Sequence, residues 1–357
     1  MHNKIAASAG YSQTRRMTSR RSFLAASAAF AAPAFAAAPR IRLGQIGAQH
    51  AHAGGKMEAV QRLSDLYDVV GLAADEGHQG KEYAGLPRLS TEALLALPGL
   101  QAVTVETRVE NSCASALQAI QAGKHVHLDK PGALGHDEFK TMRLEAEKRG
   151  LTVQMGYMLR YNPAFSLTFQ AVREGWLGEI TEIEAMMGKL ANAGTRKELS
   201  ALAGGGMFEL GCHMIDAVLT LLGKPAEVKA FSTPTQADGM KDNQLAVLVY
   251  PKATVTLRCN HADPFGGPRR RFQVTGTKGN IEIMPMESGE LVARFSEPHG
   301  TYKKGEQRLK LSVPKGRYDG EFIDLAKVIR GEKKLAWDAA HDIAVHETVL
   351  LASGQNA

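Results

Sequence analysis

Between Ile41 and Leu128 the chain alternates short apolar runs with amphipathic ones, and this alternation restricts the fold more than any other feature of its 357 residues. IRLGQIG, starting at Ile41, is followed by AQHAHAGGKMEAVQRL: a strand, a tight turn and a helix. Tyr67–Ala73 forms a second strand. A helix around Thr91–Leu97, a strand at Ala102–Glu106, a helix at Ser112–Ala122, a strand at His125–Leu128 and a helix from about His136 to Arg149 follow. Strands separated by helices of this length need crossover connections, which predicts a parallel, doubly wound sheet. Beyond Ile180 the pattern changes to short segments of period two: Glu182–Met186, Glu227–Phe231, Gln244–Tyr250, Thr254–Cys259, Phe272–Thr275, Asn280–Ile283, Leu291–Phe295 and Gln307–Val313. They predict a second, α+β region built on a large, mostly antiparallel sheet with one face open.

One helix interrupts those strands before Tyr318–Arg330. It lies in Gly204–Pro225, GGGMFELGCHMIDAVLTLLGKP, with three glycines ahead of it and Gly223 and Pro225 behind. Phe208, Cys212, Ile215, Leu219 and Leu222 make one apolar stripe; Leu210, Met214, Ala217 and Leu221 make a second. The polar remainder is Glu209, His213, Asp216 and Thr220, which predicts ionisable groups facing a buried cleft. Glu209 and His213 are four apart, so both reach the same ligand from an α-helix.

The formal charge of +6 suggests a polyanion partner until it is located. Lys4, Arg15, Arg16, Arg20 and Arg21 supply all but one of those charges, and the first acidic residue is Glu58. The remaining body is nearly neutral, so no nucleic acid is expected. Thr18-Ser19-Arg20-Arg21-Ser22-Phe23-Leu24 resembles a twin-arginine export signal. Ala25–Ala32 forms its short apolar region, and Ala34-Phe35-Ala36 offers a cleavage site. The expected organisation is a signal at 1–36, a first domain at 37–158 built on the parallel sheet and a second at 159–357 built on the antiparallel one. Export of the folded protein to the periplasm or beyond, with no membrane anchor after processing, completes that expectation. Cys113, Cys212 and Cys259 have neither disulfide nor zinc spacing.

The first tight turn departs from the G-x-G-x-x-G dinucleotide fingerprint. Gly47 takes the first position, but Gln49 and His52 stand at the second and third. A side chain at the second position obstructs close approach of a diphosphate to the backbone. Asp75, 28 residues after Gly47, is the candidate acid for a ribose hydroxyl. His50 and His52 are two apart, a spacing that lets both face one ligand, but the expectation is loop histidines with no metal.

AGKHVHLDKP (Ala122–Pro131) resembles the AGKHV…EKP segment of the Gfo/Idh/MocA oxidoreductases, with Asp129 replacing glutamate. GYMLRYNPAF (Gly156–Phe165) and REGWLGEI (Arg173–Ile180) are similar to the family's crossover into its second domain. GGGMFELGCHMID resembles its GGG…D-x-G-x-H-x-x-D helix, and Gly276-Thr277-Lys278-Gly279 matches a turn of its second sheet. The resemblance implies an N-terminal Rossmann domain that binds NAD, with NADP as the alternative, and a second subunit over the open sheet, giving a homodimer or homotetramer. It puts Lys130 where the nicotinamide ribose meets the substrate hydroxyl, His213 and Asp216 beside the substrate, and Glu209 at the family's catalytic aspartate position.

Oxidation of a carbinol requires loss of the hydroxyl proton and stabilisation of the developing alkoxide. Lys130 supplies charge, His213 with a near-neutral pKa accepts the proton, and Glu209 orients His213. Gly47, Gln49, His50, Asp75, Glu106 and Lys130 are the expected cofactor contacts. Arg160, Tyr161, Asn162, Asp216 and Lys189 are the expected substrate contacts, with pairing to a basic neighbour the equal alternative for Asp216 and domain packing the alternative for the other four. Glu106, at a strand's carboxyl end, suits either a ribose or substrate hydroxyl or an ion pair with Arg108. The function expected is an exported NAD(P)-dependent oxidoreductase acting on a sugar, polyol or related hydroxy compound. Its alternatives are an NAD-dependent glycosidase that oxidises its sugar transiently and a non-catalytic ligand-binding relative.

Overall fold

The computed structural model describes residues 38–74 and 80–357. The export signal and Asp75 lie outside the described residues. Residues 39–357 form one compact unit containing two sheets. The first is built by β1 (Ile41–Ile46), α1 (Ala53–Arg62), β2 (Tyr67–Ala73), α2 (Thr91–Leu95), β3 (Ala102–Val105), α3 (Val109–Gln121), β4 (His125–Leu128), α4 (His136–Lys148) and β5 (Val153–Met155). Its order is β2-β1-β3-β4-β5, parallel throughout. The strand order reverses beside β1, so the β1 and β3 carboxyl ends border the crevice where such sheets bind ligands. Central strands covered on both faces cannot alternate in polarity, and Ala102–Val105 is buried at every position.

The chain then runs through α5 (Pro163–Arg173), β6 (Ile180–Gly188), α6 (Ala193–Ser200) and α7 (Cys212–Leu222). Strands β7 (Glu227–Ser232), β8 (Asn243–Val249), β9 (Thr254–Asn260), β10 (Arg271–Gly276), β11 (Gly279–Ile283), β12 (Glu290–Phe295) and β13 (Gly305–Lys310) follow, then α8 (Asp319–Ile329) and α9 (Ala339–Ala352). The second sheet has the order β13-β12-β11-β10-β6-β9-β8-β7 and is antiparallel except where β6 meets β9. β8 alternates buried and half-buried residues along its whole length, the pattern of a strand with one face on the core. α7 packs against α5, α9 and β6, and α9 also packs on α4, tying the two sheet layers together.

Three helices were not foreseen from the sequence: α5, α6 and α9. The last has a physical reason. A helix wedged between α4 and α7 is covered on more than one side, so Val345, Val349 and Leu350 are buried alongside Asp342, His346 and Thr348. It therefore carries no clean polar stripe to announce it. Among the described residues no helix is long and apolar enough to cross a membrane.

Candidate active site

Asp129 and Lys130 follow β4 at its carboxyl end, and the Lys130 side chain is 1% exposed. Its ammonium crosses to the second layer, donating to the Glu209 carbonyl oxygen at 2.8 Å and lying 3.3 Å from Glu209 Oε1. Glu209 Oε2 is also 3.3 Å from Lys189 Nζ and 3.7 Å from His261 Nε2. One carboxylate thus collects two ammonium groups and an imidazole. Burial works against the Lys130 charge, yet Glu209 raises its pKa to about 12. Burial also opposes ionisation of Glu209, but Lys130, His261 and Lys189 hold its carboxyl well below the usual range. The pair is ionic at any ordinary pH. Glu209 keeps 24% of its side chain exposed and Lys189 keeps 34%, so this cluster opens to solvent.

Glu209 does not orient His213, contrary to the expectation from their spacing. Met207–Gly211 is a π-helical turn leading into α7, and its wider hydrogen-bonded ring rotates Glu209 away from the α-helical register. Among the described residues the two side chains share no hydrogen bond, and His213 Nδ1 has no partner. His213 instead stands edge-on to Tyr157, ring centroids 5.9 Å apart. Its pKa is not near neutral: burial, with Lys130 and His52 adding to it, pushes the imidazole well below its ordinary value. It is an uncharged base beside an ammonium.

Arg160 and Asp216 take the alternative the sequence also allowed: they bind each other rather than face the cleft. Arg160 Nε donates to both Asp216 oxygens at 3.1 and 3.0 Å, and Nη2 donates to Asp216 Oδ1 at 2.6 Å and Asp342 Oδ1 at 2.7 Å. Arg143 holds the other Asp342 oxygen at 2.7 Å, and His341 Nε2 lies 3.1 Å from Asp216. The Arg160 guanidinium lies over the Tyr157 and Trp337 rings. With both side chains at most 1% exposed, this is a clamp joining the end of the first layer to α7 and α9. Tyr161 accepts from Gln154 at 2.8 Å and donates to Asp324 at 3.3 Å. Asn162 caps α5 by accepting from the Ala164 amide at 2.9 Å. Of the five substrate candidates, Lys189 alone lies in the Lys130 cluster.

At the β1 turn, Gly47 has φ +82°, and a Cβ there would fall 2.7 Å from the Thr107 backbone nitrogen. Gln49 and His50 donate their backbone N–H groups to the Glu106 carbonyl oxygen at 3.1 and 3.0 Å, so these amides are taken. The first turn of α1 carries no acidic residue, and Gly54 and Gly55 are half-buried there without side chains. A diphosphate approaching the α1 terminus rather than the loop would face backbone donors and the positive end of the helix, with the Glu82 carboxylate, 2.5 Å from where a Gly54 Cβ would stand, at that mouth. The Glu106 side chain turns inward to Lys56, not to Arg108, which pairs with Glu110. Lys56 bridges Glu106 Oε1 at 3.1 Å and Asp129 Oδ2 at 2.6 Å, and His50 and His52 both point at that Asp129 oxygen. Burial, against the pull of Asp129, drops the pKa of His52 to about 4.

Sequence reasoning passed over Lys56 and His261, although both carried a signal. Lys56 sits on the apolar stripe of Ala53, Met57 and Val60, where a lysine has no reason to be without a buried partner. His261 continues the inward alternation of Val255, Leu257 and Cys259.

Residues 41–157 match the model of an oxidoreductase family with an NAD-binding Rossmann fold, and residues 167–282 match the GFO/IDH/MocA C-terminal domain. The chain belongs to the Gfo/Idh/MocA family. Trans-1,2-dihydrobenzene-1,2-diol dehydrogenase of Bos taurus is 26% identical over 226 residues, 61% of this chain and 66% of that protein. The chain thus spans just under two thirds of that relative's length. A levoglucosan dehydrogenase solved with NADH and levoglucosan superposes with a TM-score of 0.77 at 17% identity, over 88% of this chain and 96% of that one. The UDP-N-acetylglucosamine 3-dehydrogenase of Acidithiobacillus ferrooxidans does so with a TM-score of 0.74 at 20% identity, over 89% and 98%. These likenesses establish a shared fold. As a Gfo/Idh/MocA protein the chain has NAD as its cofactor, seated on the first sheet.

Proposed function

We propose that this protein is an NAD(P)-dependent oxidoreductase acting on a carbinol of a sugar, polyol or related hydroxy compound. The observation that carries the reading is the convergence of Lys130, from the carboxyl end of β4, with Glu209 and Lys189 from the second layer, beside the neutral imidazole of His213. When bound, the nicotinamide supplies a hydride acceptor. Lys130 presents a permanent positive charge to an oxygen that gains negative charge, the group whose stabilisation lowers such barriers most. Glu209 keeps that ammonium protonated and fixed. His213, uncharged, accepts the hydroxyl proton. Lys189, partly exposed at the mouth of the cluster, suits a second hydroxyl of the substrate. Relatives named for a diol and for sugars support the substrate class.

We further propose export through the twin-arginine pathway, on the strength of the Arg20-Arg21 motif, and a homo-oligomer built on the open face of the second sheet. The test of the enzymatic reading is mass spectrometry of ligand released from denatured protein purified without added cofactor, followed by a screen of sugars and polyols for nicotinamide reduction. A bound nicotinamide dinucleotide and reduction by at least one polyhydroxy compound are expected. Protein that neither holds nor reduces a nicotinamide would leave only the ligand-binding alternative.

A further inference from the structure

The groups at the β1, β3 and β4 strand ends include a set the redox reading does not use. His50 Nδ1 lies 2.9 Å from Asp129 Oδ2, and His52 Nδ1 lies 3.0 Å from the same oxygen. Lys56 Nζ reaches it as well, at 2.6 Å. His50 Nδ1 also accepts the His52 backbone N–H at 3.3 Å, so in that tautomer it meets Asp129 Oδ2 acceptor to acceptor, with no proton of its own between them. The neighbouring carboxylate shows the reverse. Glu106 is fully buried, and among the described residues neither of its oxygens accepts a hydrogen bond, although Lys56 is within ion-pair distance. Its Oε2 aims at the same point, 3.9 Å from His50 Nδ1. Lys56 is shared between the two carboxylates, whereas both histidine nitrogens sit closest to Asp129.

From these positions we infer that His50, His52 and Asp129, with Glu106 as the adjoining carboxylate, form a binding site for a divalent transition-metal ion of the zinc type. The ligand atoms of the first three residues all lie within 4.8 Å of one another. Zinc bonds of about 2.0–2.2 Å in tetrahedral geometry separate ligand atoms by roughly 3.3 Å, so the observed 2.9 and 3.0 Å require shifts of a few tenths of an ångström. Two imidazoles with carboxylate oxygen select zinc or ferrous iron over magnesium or calcium, which prefer all-oxygen shells. The Lys130 backbone N–H donates to Asp129 Oδ1 at 2.7 Å, which fixes the carboxylate so that Oδ2 faces the histidines. Lys56 is the built-in competitor, because its ammonium stands on the oxygen the metal takes. The histidines occupy the turn in which the dinucleotide fingerprint would carry its second and third glycines, so the departure from that fingerprint gains a purpose.

This inference does not depend on the nicotinamide reading, and its test is made on protein stripped of nucleotide. Full-length protein treated with a chelator and exchanged into metal-free buffer is titrated with Zn2+ by calorimetry, and with Co2+ by visible absorption. One Zn2+ per chain with a micromolar or tighter Kd is expected, together with the intense visible bands of low-coordinate cobalt bound to nitrogen and oxygen. His50→Ala and His52→Ala should each weaken binding by about 100-fold or more, and Lys56→Met should tighten it. His341→Ala, altering the imidazole of the Arg160 clamp, should leave it unchanged. Because a turn variant can misfold, wild-type protein is also labelled with diethylpyrocarbonate; Zn2+ should suppress modification of His50 and His52 and spare His299. A wild-type Kd above 100 µM, or equal labelling of His50 and His52 with and without Zn2+, would overturn the assignment.

Discussion

Replacing Lys130 with methionine removes the ammonium that reaches from β4 to Glu209 while keeping most of the side chain's volume. At 3.3 Å from Glu209 Oε1, a pair of unit charges interacts by roughly 5 kcal/mol at an effective dielectric of about 20. An alkoxide forming at a similar distance draws on an interaction of that order, less the part already present in the ground state. Loss of a single oxyanion donor in enzymes costs about 10²–10³-fold. We therefore expect Lys130→Met to lower kcat by roughly 10²–10³-fold with little change in KM, followed at the nicotinamide absorbance on a substrate the wild type oxidises. Folding should suffer less. Glu209 retains Lys189 at 3.3 Å and is 24% exposed, so roughly 1–3 kcal/mol is expected rather than the larger loss from stranding a fully buried charge. The pH dependence carries a sign. Lys130 is raised from 10.5 to about 12, so its contribution is complete below pH 10.5 and lost as the pH rises through 12. Glu209 is depressed below 4.5, so its contribution is present above that value and fades as the pH falls. The variant should lack the alkaline loss. A Lys130→Met enzyme within tenfold of wild-type kcat would refute the role given to the ammonium.

Further outcomes follow from the Arg160 clamp and from the N-terminal sequence. Arg160→Met leaves Asp216 with His341 and Asp342 with Arg143 as remaining partners and should cost about 3 kcal/mol, the low end for a broken buried pair, in urea unfolding; a loss under 1 kcal/mol would contradict the clamp. Since Arg160 and His341 hold Asp216 below 3.8 despite its burial, that stability is present above pH 3.8 and lost as pH falls through the depressed value, so the variant should also unfold at a higher pH in acid titration. A folded reporter fused to residues 1–36 should reach the periplasm, and the double change Arg20→Lys and Arg21→Lys should retain it in the cytoplasm. Export of the altered fusion at the wild-type level would remove the case for the twin-arginine route.

Both sheets were legible in the residue pattern because burial acts on it directly. A strand covered on both faces must be apolar throughout, as Ala102–Val105 is, and a strand with one wet face must alternate, as Asn243–Val249 does. The ordered motifs around Lys130 and His213 pointed to the family for the same local reason, since each lies within a single turn or helix. α9 was not legible, because a helix buried on several sides loses the period that marks it.

The partners of the polar residues were a different matter. Glu209 and His213 share a face only if the backbone between them is α-helical, and one wider turn sent Glu209 to Lys130 instead. Asp216 met Arg160 and His341 from segments 56 and 125 residues away along the chain. Local sequence determined which stretches became strands and helices, because propensity and burial period are properties of neighbouring residues. Tertiary packing alone decided which charges meet, because a buried ion must find its counter-ion wherever the folded chain brings one within reach.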